Sequence, residues 1–211
     1  MKMLEGRIAA VTGAASGLGR AMALAFAGEG MHAALADVDE PGLQSTLNEV
    51  QSRGVRAFAM RVDVSRYQEV ESFCGKAIAQ FGATHVVCNN AGVSPLGAVW
   101  ENTLADWQWI LGVNLWGVIH GVTTFLPILE RNSDGGHVVN TASMASFTTG
   151  PNQPIYGATK HAVVRVSEAL HLQLAARRAL DWRPCCAIQA RDLCPSCGAA
   201  ALVSEGGCRL P

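Results

Sequence analysis

A glycine-rich segment lies between a strand pattern and a helix pattern near the start of this 211-residue chain. Residues 7–11, Arg-Ile-Ala-Ala-Val, indicate a short buried strand, and residues 20–27 indicate a helix. Between them, residues 12–19 read Thr-Gly-Ala-Ala-Ser-Gly-Leu-Gly. Glycines permit a tight turn and a close approach of backbone N–H groups to a phosphate, and a helix N-terminus adds partial positive charge. The segment therefore predicts a dinucleotide-binding turn; the alternative is a glycine-rich turn without a ligand.

Strand and helix patterns alternate along the chain to about residue 176. Further strands are predicted over residues 31–36, 55–62, 84–88 and 136–141. Helices are predicted over residues 66–81 and 154–176, the second opening at a proline. Alternation of this kind is typical of a parallel sheet that is covered by helices on both faces.

An acidic residue, Asp37, follows the second strand pattern, about 20 residues past the glycines. A carboxylate at this place accepts a hydrogen bond from a ribose 2′-hydroxyl and repels a 2′-phosphate. The sequence therefore favours NAD over NADP as cofactor. A solvated aspartate at a strand end is the alternative, and Asp39 competes for the same role.

A tyrosine and a lysine, Tyr156 and Lys160, lie four residues apart in the last helix pattern and so share one helix face. A free tyrosine has a pKa near 10 and is a poor base at neutral pH. A fixed cation beside it favours the phenolate and lowers that pKa. Ser143 follows an apolar strand pattern upstream, which makes these three side chains candidates for one catalytic group.

The ordered motifs resemble the short-chain dehydrogenase/reductase family over residues 1 to about 176. The matching pieces are residues 12–19, Asp63-Val64, Asn89-Asn90-Ala91-Gly92, Asn114, Ser143, Tyr156 and Lys160. The resemblance implies a single-domain α/β fold with a Rossmann-type, doubly wound parallel sheet. It also implies an NAD(P)-dependent oxidoreductase that transfers a hydride between nicotinamide and a secondary alcohol or carbonyl substrate.

Site residues follow from the same resemblance. Tyr156 is expected to act as general acid and base, with Ser143 at the reacting oxygen. Lys160 is expected to lower the pKa of Tyr156 and bind the nicotinamide ribose, and Asn114 to hold a water that links Lys160 to solvent. The expected cofactor-binding residues are Thr12, Gly13, Ser16, Gly17, Leu18, Gly19, Asp37, Asp63, Val64, Asn89, Ala91, Gly92, Tyr156 and Lys160.

Structural alternatives remain for several of these side chains. Asn114 is alternatively a helix-interior asparagine that bonds a neighbour, and Asp63, otherwise expected at the adenine ring, is alternatively part of a strand-end turn. His161 is expected on the helix surface, and His120 buried and hydrogen-bonded.

Composition agrees with one globular domain. Apolar residues make up 49% of the chain, charged residues 16%, and the net charge is −1. This balance does not point to a nucleic-acid groove or an anionic membrane surface. The first six residues show no apolar signal region, so we expect a cytoplasmic protein.

Residues 110–129 contain no Asp, Glu, Lys or Arg and are long enough to cross a bilayer. Asn114, His120, Thr123 and Thr124 dilute this run, which favours a helix that is buried on most faces. The family resemblance implies that it packs on the sheet and against a partner subunit, giving a homo-oligomer. The tryptophans at positions 100, 107, 109 and 116 are interpreted as core or subunit-contact residues; substrate stacking is the alternative.

The tail, residues 177–211, departs from the family pattern. Five of the seven cysteines follow residue 184. The tail also has no Val/Ile run that would predict the sixth strand of the family. We therefore expect the last one or two strands to be missing, the fifth predicted strand (residues 136–141) to become a sheet edge, and the tail to be poorly ordered. The chain would then be weakly stable and weakly active, or a nucleotide-binding remnant without turnover.

A frameshift is one hypothesis for this tail. Moving the reading frame of residues 181–186 forward by one base permits Ile-Gly-Val-His-Val-Val, a buried-strand sequence. An alternative splice product would look similar, and sequencing of the coding DNA distinguishes the two. The tail also contains Cys194-Pro195-Ser196-Cys197. A structural zinc site usually needs four ligands, and the other cysteines lack a paired spacing, so no metal is expected.

Overall fold

Six parallel strands form a single sheet at the centre of the protein. The computed structural model describes residues 4–133, 135–176 and 185–189. The strands are β1 (Ile8–Thr12), β2 (His32–Asp37), β3 (Ala57–Arg61), β4 (Val86–Asn89), β5 (His137–Ser143) and β6 (Cys185–Gln189). Their order in the sheet is β3-β2-β1-β4-β5-β6. The predicted doubly wound parallel sheet is thus confirmed, with β5 extending two residues past its predicted end so that Ser143 closes it.

Helices connect the strands and cover both faces of the sheet. They are α1 (Gly17–Gly28), α2 (Glu40–Gln51), α3 (Tyr67–Phe81), α4 (Leu104–Ile110), α5 (Gly117–Leu129) and α6 (Pro154–Ala176). A π-helical segment (Leu111–Trp116) joins α4 to α5, and a 3₁₀ turn (Met144–Ser146) follows β5. Asp39 caps α2 by accepting from the N–H of Gly42, and Thr103 forms a capping box with Asp106 at α4.

Two apolar cores lie on the opposite faces of the sheet. Ala9 and Val11 of β1 pack with residues of α1 and α2, whereas the intervening Ala10 packs with residues of α3 and α5. Side chains of a strand alternate between faces, so a strand that is buried on both sides reads as a continuous apolar run. The consecutive apolar residues of the strand predicted at residues 7–11 are explained by burial on both faces of the sheet.

The strand order reverses between β1 and β4, which lie side by side although two strands separate them in the chain. In parallel sheets a crevice forms at such a switch point, outside the carboxyl ends of the strands. Thr12, Asp37, Asn89 and Ser143 are the last residues of four of these strands. The fold therefore brings four of the predicted site residues to one edge of the sheet.

The sixth strand corrects one expectation for the tail. Cys185–Gln189 pairs in parallel with β5, with Cys185 opposite Val139 and Gln189 opposite Ser143. The prediction that β5 becomes a sheet edge is therefore wrong. The unpaired N–H and C=O groups along the edge of β5 can pair with any extended segment, whether or not it is rich in Val and Ile. The sequence pattern therefore did not predict this strand. The other tail residues, 177–184 and 190–211, lie outside the described residues.

The stretch Leu104–Leu129 is, by length and composition, the one helical region of the described chain that is long and apolar enough to cross a membrane. Its α5 part packs against α3, β4 and β5 through Val118, Phe125 and Leu129. Within this single chain 33% of its most apolar window is buried, so contacts inside the chain cover a minority of the stretch. Its burial against a partner subunit stays a prediction. The interpretation of the tryptophans as core residues fails for Trp100, Trp109 and Trp116, which are 86%, 51% and 52% exposed.

Candidate active site

The glycine-rich turn is built by close backbone contacts. Gly13 has a φ of +68°, and a Cβ added there would lie 2.8 Å from the Cα atom of Ala91. Both features exclude a side chain at this position. Gly17 begins α1, Gly19 and Leu18 lie in its first turn, and the N-cap residue Ser16 is exposed and makes no side-chain capping bond. The first N–H groups of α1 therefore have no side-chain cap, as an anion site at a helix N-terminus requires.

A threonine hydroxyl joins the glycine-rich turn to the end of β4. The Oγ1 atom of Thr12 accepts from the backbone N–H groups of Asn90 and Ala91, at 3.0 and 3.2 Å, and donates to the carbonyl of Cys88. The Nδ2 atom of Asn90 returns a bond to the carbonyl of Thr12. These contacts fix the two loops that border the crevice relative to each other.

Asp37 lies at the end of β2 beside the glycine-rich turn. Its Oδ2 atom accepts from the backbone N–H of Ala15 at 2.9 Å, and its Oδ1 atom accepts from the N–H of Asp39 at 3.1 Å. Asp39 itself is engaged as the cap of α2. Of the two aspartates considered from the sequence, Asp37 is therefore the one that touches the turn.

Asp63 and Val64 take part in local structure. The Oδ1 atom of Asp63 accepts from both the N–H and the hydroxyl of Ser65, and its Oδ2 atom lies 3.6 Å from Arg66 Nε. The carbonyl of Val64 accepts from His120 Nδ1 at 2.9 Å, as expected, but His120 is half-buried and not buried as expected. The geometry of Asp63 is that of the strand-end turn, the alternative considered for it.

Asn89 lies in the protein interior. Its Nδ2 atom donates to Asn140 Oδ1 at 2.9 Å, and Asn140 donates in turn to Ser167 Oγ at 3.0 Å. Asn89 is only 3% exposed. Its amide thus crosses from β4 to β5 and α6 beneath the crevice, so the surface of the crevice here is formed by its neighbours Asn90, Ala91 and Gly92.

Asn114 lies in the π-helical segment and is fully buried. Its Oδ1 atom accepts from the N–H of Val93 at 2.8 Å, and its Nδ2 atom donates to the carbonyl of Val93 and to Thr159 Oγ1. The side-chain amide therefore holds the loop after β4 against α6. The structure therefore favours the alternative in which Asn114 is a helix-interior asparagine that bonds its neighbours. Its π-helical setting is one that recurs at functional sites.

The predicted tyrosine–lysine pair is formed. Lys160 Nζ lies 5.7 Å from the ring centroid of Tyr156, and Lys160 is only 3% exposed. It donates to the carbonyl of Thr141 at 2.7 Å. Burial lowers the pKa of Lys160 to about 8. A group with this pKa still carries its charge in about nine molecules of ten at pH 7, so it supplies a cation beside the tyrosine.

Ser143 lies at the junction of β5 and the 3₁₀ turn and is 8% exposed. Its Oγ atom accepts from the backbone N–H of Ala145 at 3.2 Å. One lone pair of the oxygen is thereby occupied, whereas this bond leaves the hydroxyl proton available to donate. Ser143 is thus oriented as a hydrogen-bond donor.

Gly92 lies beside both the Asn114 amide and the Lys160 ammonium. A Cβ added to it would lie 3.4 Å from both Asn114 Oδ1 and Lys160 Nζ. A buried ammonium, a helix N-terminus without a side-chain cap and the Asp37 carboxylate lie along the carboxyl edge of one sheet. These residues fit a dinucleotide, because the N–H groups at the start of α1 suit an anionic group, and the Asp37 carboxylate and the Lys160 ammonium can hydrogen-bond hydroxyl groups.

The fold and these groups define a dinucleotide-binding α/β protein. Residues 7–186 match the sequence model of the short chain dehydrogenase family. The chain belongs to this family of oxidoreductases. It is 37% identical over 178 residues to SadH of Mycobacterium tuberculosis, a match that covers 84% of this chain and 64% of that protein. The chain thus spans a little less than two thirds of the length of this curated relative.

Two solved structures extend the comparison. A short chain dehydrogenase/reductase from Burkholderia phymatum in complex with NAD is 38% identical, with a TM-score of 0.84 and coverage of 98% of this chain and 75% of that one. An alcohol dehydrogenase from Thermococcus sibiricus complexed with 5-hydroxy-NADP is 29% identical, with a TM-score of 0.77 and coverage of 84% and 74%. Members of the family thus bind NAD or NADP.

Three contacts of the site were missed in the sequence. Asn90 was grouped with its neighbours, yet it is the residue that bonds Thr12 and accepts from Thr141 Oγ1. Side chains in a strand alternate between the two faces of the sheet, so adjacent Asn89 and Asn90 point to opposite sides. This alternation could have shown that the two asparagines have different partners. The carbonyl of Thr141, which accepts from Lys160, and the imidazole of His161, which donates to the carbonyl of Ser146, left no sequence signal.

Proposed function

We propose that this protein is an NAD-dependent oxidoreductase that interconverts a secondary alcohol and the corresponding carbonyl compound. The observation that carries the proposal is the buried Lys160 ammonium beside the ring of Tyr156, at the carboxyl edge of a dinucleotide-binding sheet. Family membership supports the reaction class. The bound nicotinamide supplies the acceptor or donor of the hydride.

The protein's own residues handle the proton. In the direction of alcohol oxidation, the Tyr156 phenolate removes the hydroxyl proton of the substrate; in reduction, the phenol donates a proton to the nascent alkoxide. Lys160 stabilises the phenolate. Its ammonium nitrogen lies 5.7 Å from the centroid of the Tyr156 ring. The Ser143 hydroxyl donates a hydrogen bond to the substrate oxygen, where negative charge develops.

The preference for NAD rests on Asp37. A 2′-phosphate beside this carboxylate would bring like charges together, whereas a 2′-hydroxyl can donate to it. Its Oδ2 atom already holds Ala15, so the carboxylate also fixes the turn that receives the pyrophosphate.

A binding and turnover measurement tests the proposal. Titration with NADH and NADPH, followed by fluorescence, is expected to give tighter binding of NADH. A panel of secondary alcohols with NAD⁺, followed by the absorbance of the reduced nicotinamide, is expected to identify substrates. Failure to bind either dinucleotide would reject the proposed function.

A second candidate is a nucleotide-binding protein with impaired turnover. Two observations favour it: the family match ends at residue 186, and five of the seven cysteines follow residue 184. The dinucleotide groups lie before that point. This candidate predicts NADH binding without turnover by the native chain, and turnover by a version in which the reading frame after residue 176 is restored to the family pattern.

Oligomerisation through the long helices is also part of the proposal. Trp109 and Trp116 expose about half of their surface on the stretch Leu104–Leu129, and Leu172 of α6 is 66% exposed. Exposed apolar side chains of this size are typical of protein contacts. Sedimentation of the purified protein is expected to give a dimer or larger assembly, and Trp116→Asp is expected to weaken it.

We further propose that the protein acts in the cytoplasm without membrane insertion. The helix Leu104–Leu129 carries the fully buried Asn114 amide, which is bonded to the loop after β4 and to α6. Insertion of the helix would break these bonds. Fractionation without detergent is expected to leave the protein in the supernatant.

A further inference from the structure

The 3₁₀ turn that follows Ser143 is attached to α6 at two positions one helical turn apart. His161 Nδ1 lies 2.8 Å from the carbonyl oxygen of Ser146. A Cβ added to Gly157 would lie 3.2 Å from the carbonyl oxygen of Ala145. Positions 157 and 161 are neighbours on one face of the helix. The turn Met144–Ser146 is therefore hydrogen-bonded to the imidazole of His161 and packs closely against Gly157.

The direction of the imidazole bond fixes the tautomer of His161. A carbonyl oxygen only accepts, so Nδ1 carries the proton and donates it. The other ring nitrogen, Nε2, does not take part in this bond. His161 is an exposed residue of α6, yet Nδ1 of its ring is bonded to the backbone of the 3₁₀ turn.

The attached turn also orients Ser143. The N–H of Ala145, within the turn, donates to Ser143 Oγ. The N–H of Ala145 therefore points to Ser143, and its carbonyl oxygen lies against Gly157. The carbonyl of the following residue, Ser146, is bonded to His161. Tyr156 and Lys160 each directly precede one of these two helix positions, so the same stretch of α6 carries the tyrosine–lysine pair and the attachment of the turn.

We propose that His161 is a positioning residue for the Ser143 hydroxyl. Its Nδ1–H bond to Ser146 holds the turn Met144–Ser146 at one place along α6 and so fixes Ser143 relative to Tyr156. Gly157 permits this contact because any side chain would press on Ala145. The inference rests on the proposed oxidoreductase function, in which Ser143 and Tyr156 contact the same substrate oxygen.

Three substitutions separate this role from a general effect on the helix. His161→Leu removes the donor while keeping an apolar side chain of similar bulk. His161→Asn keeps a donor, because the amide nitrogen of asparagine occupies nearly the place of Nδ1. His171→Leu is the matched control, since His171 is an exposed histidine two turns and more further along α6.

Kinetics with NAD⁺ and the best alcohol of the panel give the first measurement. His161→Leu is expected to lower kcat about 10- to 100-fold, the size of effect that a misplacement of about 1 Å produces. The Kd for NADH is expected to stay unchanged, His161→Asn to recover most of kcat, and His171→Leu to behave as the wild type. Equal kcat values in all four proteins would overturn the proposal.

Two measurements do not depend on turnover. In the full chain with ¹⁵N-labelled histidine, the resonance that His161→Asn removes is expected to show the Nδ1–H tautomer; the Nε2–H tautomer would contradict the bond. In crystal structures, the turn of His161→Leu is expected to move away from α6 and that of His161→Asn to remain in place. A turn that superposes in both variants would refute the positioning role, even if the wild type proves to have no activity. If His161→Leu does not fold, the tautomer and His161→Asn decide.

Discussion

Lys160 donates from its Nζ atom to the carbonyl oxygen of Thr141, 2.7 Å away, in the interior of the protein. The acceptor is neutral, so this bond does not compensate the charge of the ammonium. Burial accordingly lowers the pKa of Lys160 to about 8 from an ordinary 10.5. The bond also ties β5 to α6, the two elements that carry Ser143 and Tyr156.

The first prediction is that Lys160→Met stabilises the protein without cofactor at pH 7. Moving the pKa by about 2.5 units corresponds to about 3 kcal/mol, of which the lost bond to Thr141 offsets about 1 kcal/mol. We therefore expect the free energy of unfolding in urea to rise by about 2 kcal/mol. The reason is that the variant no longer buries an uncompensated charge.

The pH dependence provides the control. Between about pH 8 and 10.5 the unfolded chain holds a proton on Lys160 that the folded protein has lost. The stability contributed by this group is thus complete above pH 10.5 and lost as the pH falls through about 8. The wild type is expected to gain stability relative to Lys160→Met across this window. A difference between the two proteins that does not change with pH would contradict the buried cation.

The second prediction concerns cofactor choice. Asp37→Asn removes the charge and the bond from the N–H of Asp39, but it keeps an oxygen that accepts from the N–H of Ala15 in the glycine-rich turn. We expect the ratio of the NADPH and NADH dissociation constants to shift roughly tenfold in favour of NADPH, equivalent to about 1.4 kcal/mol. Fluorescence titration measures both constants.

Asp39→Asn is the matched control for this experiment. Asparagine caps helices about as well as aspartate, so α2 stays intact and the ratio is expected to remain that of the wild type. If both variants shift the ratio equally, a general change of charge explains the preference, and Asp37 has no specific part in it.

The third prediction is that Asn114→Ala destabilises the protein. Its amide satisfies both the N–H and the carbonyl of Val93, and the substitution leaves these groups without that partner. We expect a loss of about 2–3 kcal/mol in urea unfolding. Asn48→Ala, at an exposed position of α2 where Gln44 is the partner, is expected to cost less than about 0.5 kcal/mol. Similar small losses in both variants would show that the Val93 contact is of little importance.

The sequence predicted the part of the fold that periodicity and local chemistry determine. The strands that end at Asp37 and Asn89 were apolar runs followed by a polar residue, and the structure places both residues at the carboxyl edge of the sheet. The spacing of Tyr156 and Lys160 likewise predicted a shared helix face, because that spacing follows from helix geometry alone.

Long-range contacts were not predictable from local pattern. The burial of the Asn89 amide depends on Asn140, 51 positions away, and the role of His161 depends on a carbonyl oxygen, which every residue possesses. The backbone of β6 pairs with β5 along five residues, although the sequence of β6 shows no continuous Val/Ile run. Trp116 is an apolar residue on the outer side of a helix, and only the position of the sheet decides that it is exposed.

Replacement of Tyr156 by phenylalanine tests the proposed catalytic chemistry most directly. The variant keeps the ring beside Lys160 and removes only the hydroxyl that transfers the proton. NADH titration is expected to give a Kd within about threefold of the wild type, while kcat with NAD⁺ and the best alcohol of the panel, measured on a chain or frame-restored version that turns over, falls by about 10²- to 10⁴-fold. Unchanged kcat in Tyr156→Phe would contradict the assignment of this phenol as the acid and base.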